Sequence, residues 1–202
     1  MTARLGFLIS GGGTTLQNFL NVIGEGKLDA EIVVVISSRP NVEGLNKARK
    51  ARIPTEVVER RRYESLAEFS DAITEIIDRR DVDLVICGGF LQRWLFSPDY
   101  EGRVLNVHPG PLPKFGGQGM YGHHVHEAVL AAVEKESAAT VTIADHEYDH
   151  GPVLLQKSVL VLPDDTPETL AARVFEAECE IYPEAVRMLI ERLGLDRRMP
   201  TT

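Results

Sequence analysis

The sequence is short of cysteine: only Cys87 and Cys179 occur in 202 residues, too few for the disulfide framework of a small secreted domain. Cys87 falls in the apolar run Leu84-Val85-Ile86-Cys87 and Cys179 in a helical pattern, so both read as buried thiols in a reducing compartment. Long apolar runs are also missing. The longest, Ile32-Val33-Val34-Val35-Ile36, is far below the ~20 residues of a membrane helix. Met1-Thr2-Ala3-Arg4 passes straight into a strand-like segment, without the pattern of a signal peptide, so a cytoplasmic protein is expected. Basic residues are in deficit: 22 Lys and Arg face 30 Asp and Glu, a net charge of −8 that opposes attraction to phosphate backbones and anionic lipid. Nucleic acid and membrane are therefore not expected partners. With 17 Gly and 11 Pro, collagen-like and low-complexity readings fall away as well.

What is present is an alternation of short apolar runs and amphipathic stretches. Leu5 to Ile9 is followed by Leu16, Phe19, Leu20 and Ile23 at helical spacing, then by Ile32 to Ile36. A helix near Val42 to Lys50, a strand at Pro54 to Val58, a helix carrying Leu66, Phe69, Ile73, Ile76 and Ile77, and a strand at Asp83 to Cys87 continue the pattern. Continuous β-branched runs fit strands covered on both faces, which implies an α/β, Rossmann-like, doubly wound and mostly parallel sheet. After a strand at Arg103 to Val107, the segment Pro109 to Gly119 is too rich in Gly and Pro for a regular element. A helix around Val125, Ala128, Val129 and Ala132 follows. Ala139 to Ala144 and Val153 to Leu162 then read as two strands of an antiparallel C-terminal extension. A long C-terminal helix opens at Thr166, with Leu170, Val174, Ala177, Ile181, Ala185 and Leu189 on one stripe and a bend at Pro183. Residues 1–195 are expected as a single domain and 196–202 as a disordered tail.

Three segments carry chemistry. Ser10-Gly11-Gly12-Gly13-Thr14-Thr15-Leu16 links the first strand to the first helix, where free backbone N–H groups and the helix dipole favour an anion such as phosphate. The alternative is a tight turn with Thr14 or Thr15 as helix cap. Asn106 and His108 lie at i and i+2 on one face of a strand end, so an amide and an imidazole can grip one carbonyl oxygen, or they close the loop structurally. Asp145-His146-Glu147-Tyr148-Asp149-His150 crowds three acids and two histidines between two strands; a carboxylate reaching His108 would favour its charged form, and an Asx-rich hairpin loop is the plain reading. Zinc is a competing use for His123, His124, His126, His146 and His150, but no metal-ligand spacing is present. Arg60-Arg61-Arg62 reads as a solvated helix start, or as a holder of an anionic substrate.

These segments, in this order and spacing, resemble the folate-dependent phosphoribosylglycinamide formyltransferases of purine biosynthesis. The resemblance rests on Ile9 to Gln17, on Asn106-Val107-His108-Pro109 with Leu112-Pro113-Lys114-Phe115, and on Tyr148-Asp149-His150-Gly151-Pro152-Val153, and runs from about residue 4 to residue 190. It implies transfer of a formyl group from 10-formyltetrahydrofolate, a cosubstrate, to the amine of 5-phosphoribosylglycinamide, with no metal. By the same carry-over Asn106, His108 and Asp149 are catalytic, and Gly13, Thr14, Thr15 and Glu178 hold the ribose phosphate substrate. Leu91, Gln92, Arg93, Trp94, Asn106, Asp145, His146, Glu147 and Tyr148 hold the folate. Where an Arg often approaches the folate tail this chain has Leu66, which makes Arg60, Arg61 and Arg62 candidates to stand in. A homodimer is left open. The competing readings are a formyltetrahydrofolate deformylase, a sugar-nucleotide formyltransferase and a non-catalytic folate-binding module. A methionyl-tRNA formyltransferase is disfavoured by length and charge.

Overall fold

The computed structural model describes residues 2–195, so the tail expected over 196–202 lies outside the described residues. The chain forms two compact units, one from residues up to Val104 together with the chain from Val186 onward, the other from Leu105 to Ala185. The seven strands follow the order β3-β2-β1-β4-β5-β6-β7, an α/β arrangement of the kind the apolar runs predict.

In the first unit β1 (Ala3–Ile9), β2 (Ala30–Ser37), β3 (Thr55–Val57) and β4 (Leu84–Cys87) are parallel, with Leu8 opposite Ile36 on one side and Cys87 on the other. Strands buried on both faces need apolar side chains at every position, and Leu5, Phe7, Leu8 and Ile9 have no exposed surface. Helix α1 (Thr14–Gly24) buries Leu16 and Phe19, and the Phe19 ring meets Phe7 edge-on at 5.1 Å. Helix α2 (Glu43–Lys50) follows β2. Helix α3 (Leu66–Asp78) starts at Ser65, whose side chain accepts from the Glu68 N–H at 3.1 Å, and its apolar residues Phe69, Ile73, Ile76 and Ile77 are buried as their spacing predicts.

The arginine run is a solvated helical turn, as one reading of the sequence has it, with Arg61 and Arg62 exposed yet paired with a buried acid. Residues 60–62 form one 3₁₀ turn. Arg61 donates to Glu59 Oε2 from Nε at 2.9 Å and from Nη2 at 2.6 Å, Arg62 pairs with Oε1 of the same carboxylate, and Arg60 donates to the Tyr63 carbonyl at 2.8 Å. The hydrogen bond from Arg61 holds the buried Glu59 carboxyl below its usual range.

In the second unit β5 (Val104–His108), β6 (Glu136–Ile143) and β7 (Val153–Leu160) are antiparallel neighbours. Helix α4 (His123–Ala131) buries Val125, His126 and Val129. Helix α5 (Pro167–Arg192) runs through Pro183 and buries Leu170, Val174, Ala177 and Ile181. Its start is fixed by Asp165, which accepts from Arg173 Nη1 at 2.8 Å, Arg173 Nη2 at 2.9 Å and the Leu162 N–H at 2.8 Å; the Arg173 hydrogen bond drives the Asp165 carboxyl far below its usual range.

Neither cysteine is in a disulfide, and both are half-buried where the sequence predicts buried thiols. Burial pushes the Cys87 thiol up to about 12 and the Cys179 thiol up to about 11, so neither is a thiolate near neutrality. Among the described residues no helix is long and apolar enough to cross a membrane.

Candidate active site

Strand β5 places Asn106 and His108 on one face, and the left-handed backbone of Asp149 (φ 55°) brings its carboxylate back onto them. Asn106 Nδ2 donates to Asp149 Oδ1 at 3.3 Å, and His108 Nδ1 lies 3.3 Å from Asp149 Oδ2. The two donors therefore converge on a space no wider than one carboxylate. His108 is 2% exposed, and its Nε2 lies 2.7 Å from the Phe115 carbonyl oxygen. A carbonyl only accepts, so Nε2 carries the hydrogen there. Nδ1 faces the Asp149 carboxylate, so both ring nitrogens meet acceptors. The Gly117 N–H donates to Asp149 Oδ2 at 3.1 Å. The Gly/Pro-rich loop thus supplies two polar groups to the site, a carbonyl for the histidine and an N–H for the aspartate.

His126, in the first turn of α4, is 3% exposed and its Nδ1 has no hydrogen-bond partner. Burial, then the nearby His123 and His108, push this imidazole down to about 4. Such a ring is neutral when folded, so its share of stability is fully present above the unfolded value of about 6.5 and is lost as pH falls toward 4. We expect wild type to lose up to about 3 kcal/mol across that window relative to His126→Leu. Urea unfolding of both proteins at pH 7, 5.5 and 4.5 checks this; parallel pH curves would contradict it. His123 and His124 are exposed beside Glu168 and Glu127, at 3.9 and 3.5 Å. Among the described residues no cluster of three His, Cys, Asp or Glu side chains is placed to hold a metal ion.

In the first unit the glycine-rich segment leads from β1 into α1. The N-cap of α1 is Gly13 at φ 64°, without a side-chain cap, so neither Thr14 nor Thr15 closes the helix end and the first N–H groups of α1 stay uncapped by a side chain. Gly13 is required twice: for its left-handed backbone, and because a Cβ there would lie 2.6 Å from the Gly44 Cα. Gly44 N–H donates to the Gly11 carbonyl at 3.1 Å, and Lys47 Nζ reaches the Gly13 carbonyl at 3.3 Å. Buried Ser10 pairs with the Ser38 hydroxyl at 2.7 Å and accepts from the Leu91 N–H at 2.9 Å.

Of the other candidates, Leu91 and Gln92 are half-buried and Arg93 is exposed. The Trp94 side chain is packed, with its indole N–H 3.2 Å from the Ser70 carbonyl and its ring against Phe96 and Tyr100, so only its main chain remains for a ligand. Asp145 accepts from the Glu147 N–H at 2.8 Å and from His150 Nδ1 at 2.8 Å, while His146, Glu147 and Tyr148 face solvent. The Asp145 bond raises the His150 imidazole above its ordinary value. Glu178 is buried on α5. The structure adds backbone groups that no side-chain pattern signals, the Phe115 carbonyl and the Gly117 N–H.

Residues 3–186 match the family model described as formyl transferase. The chain is 33% identical over 190 residues to the phosphoribosylglycinamide formyltransferase of Haemophilus influenzae, covering 93% of this chain and 87% of that protein. It is 38% identical over 189 residues to the trifunctional purine biosynthetic protein adenosine-3 of Gallus gallus, covering 92% of this chain but 18% of that protein. The chain thus spans about a fifth of the length of this relative and of its Bos taurus counterpart. Among solved structures, glycinamide ribonucleotide transformylase 1 from Symbiobacterium toebii superposes with a TM-score of 0.87 at 35% identity, covering 95% of this chain and 89% of that one. Phosphoribosylglycinamide formyltransferase from Brucella melitensis does so with a TM-score of 0.83 at 37% identity, covering 93% and 95%.

Proposed function

The chain belongs to the formyl transferase family, and from that premise we propose that it transfers a formyl group from 10-formyltetrahydrofolate to the amine of 5-phosphoribosylglycinamide in purine biosynthesis. The observation that carries the reading is the convergence of Asn106 Nδ2 and His108 Nδ1 on the two oxygens of Asp149. Donors that span one carboxylate also fit an oxygen that gains negative charge as an amine attacks the formyl carbon. Asn106 has a second N–H to offer, and the His108 ring borders the same space. Asp149 is held by both donors and by the Gly117 N–H. Held there, it is a base close to the reacting nitrogen. No side chain has to bond covalently to the formyl group.

In this reading Gly13, Thr14 and Thr15 receive the phosphate on the uncapped start of α1, and Glu178 approaches the ribose. Leu91 to Trp94 and Asp145 to Tyr148 hold the pterin through their main chains. Residues 1–195 act as one catalytic domain in the cytoplasm, with the formyl donor as cosubstrate and no metal.

The test is release of tetrahydrofolate from 10-formyltetrahydrofolate, measured on the purified full chain with and without phosphoribosylglycinamide. Turnover that requires the amine is the expected result. Equal turnover in both tubes would make water the acceptor and the enzyme a deformylase, and no turnover in either would remove the transferase reading.

A further inference from the structure

His108, Thr140 and Gln156 are direct neighbours across β5, β6 and β7: His108 pairs with Thr140, and Thr140 with Gln156. Cross-strand partners share one face of a sheet, so Thr140 and Gln156 stand beside His108 on its own side. Thr140 is completely buried. Its hydroxyl donates to the Gly110 carbonyl at 2.7 Å and accepts from Gln156 Nε2 at 2.9 Å. The same Gln156 amide reaches the Leu112 carbonyl at 3.4 Å.

A hydroxyl has one hydrogen and a freely turning rotor. The Gln156 N–H occupies a lone pair of Thr140, which leaves the single hydrogen to point at Gly110. The loop is therefore held at four points. Thr140 and Gln156 grip its start at Gly110 and Leu112, while Phe115 and Gly117 deliver a carbonyl to His108 and an N–H to Asp149. The first two anchors touch none of the reacting groups.

We propose that Gln156, acting through the Thr140 hydroxyl, is a positioning residue for formyl transfer: it fixes the loop that sets His108 and Asp149. The proposal rests on the function argued above. It concerns placement, so its effect falls on kcat rather than on substrate affinity.

Gln156→Glu is the discriminating change. It keeps the size of the side chain but replaces the donor by an acceptor, which competes with Gly110 for the one Thr140 hydrogen. Gln156 is solvent-exposed, so the fold survives the substitution. We expect kcat to fall about tenfold or more, with both KM values within about threefold of wild type. Thr140→Val should reproduce the loss, and Thr140→Ser should restore most of it. In wild type the His108 Nε2–H, bonded to a carbonyl at 2.7 Å, should give a downfield, slowly exchanging imidazole proton signal. That signal should broaden in Gln156→Glu.

Wild-type kcat in both Gln156→Glu and Thr140→Val would overturn the proposal. So would a loss confined to KM, or an unchanged His108 signal. A kcat loss in Thr140→Ser equal to that in Thr140→Val would reduce the clamp to bulk packing and would overturn it too. If the wild-type chain fails to transfer a formyl group, the functional reading falls, and the His108 signal still decides whether Gln156 sets the loop.

Discussion

Replacing His108 by alanine is expected to lower kcat by about a thousandfold, with the KM of either substrate changed by no more than a few-fold. The residue combines two roles that removal deletes together. Its Nδ1 side faces the space shared with Asn106 and Asp149, and its Nε2 is fixed on the Phe115 carbonyl at 2.7 Å. In the proposed mechanism, loss of the ring leaves the developing oxyanion only the Asn106 amide, and Asp149 loses its imidazole neighbour. Because the ring is buried, the variant also leaves a carbonyl and a carboxylate short of a donor, at a cost to stability of about 1–3 kcal/mol. Steady-state kinetics at a temperature well below the unfolding transition separate the two effects. Residual kcat within tenfold of wild type would show that His108 is not part of the chemistry.

Gly151→Ala is expected to be the most damaging single-methyl substitution in the second unit, with a loss of about 3 kcal/mol or more. A Cβ at this position would lie 1.9 Å from the Ile143 carbonyl oxygen, 3.0 Å from its carbon and 3.3 Å from the Asp145 nitrogen. All three are backbone atoms, so no rotamer change relieves the clash. The Ile143 N–H donates to the Pro152 carbonyl at 3.0 Å, so moving the chain apart breaks the closing bond of the β6–β7 connection. Asp149 sits two residues upstream and moves with it, so activity should fall further than stability alone requires. Gly24→Ala is the matched control, since nothing lies within 4 Å of its Cβ position and it should be neutral or slightly stabilising. Equal urea midpoints for the two variants would refute the steric argument.

Most of the scaffold is legible in the sequence because the dominant force writes itself into side chains. Leu5, Phe7, Leu8 and Ile9 must be apolar to form a strand buried on both faces, and the stripe from Leu170 to Ala185 must be apolar to bury one face of α5. The Asn-x-His spacing foretells a shared face because strands alternate with period two. The approach of Asp149, forty-one residues beyond His108, comes from a family resemblance and not from any local rule. Other features have no signal of their own. The Phe115 carbonyl and Gly117 N–H are groups that nearly every residue carries, so only the path of the loop selects them. The pairing of the solvated arginine run has no signal either, because its partner, Glu59, looks in sequence like any surface acid. Its burial follows from tertiary packing. Likewise the start of α1 falls to Gly13 rather than to a threonine because the turn demands a left-handed backbone.

The left-handed conformation of Asp149 also bears on how the position can change over evolutionary time. Of the twenty residues, glycine, asparagine and aspartate adopt that backbone most cheaply. Glycine brings no functional group, and asparagine brings an amide without charge. The backbone narrows the choice to a few residues and the neighbouring imidazole narrows it to one, so geometry and chemistry act as successive filters on the same codon. A change at 149 thus forfeits the backbone fit, the carboxylate beside the imidazole, or both, and no substitution keeps the two together.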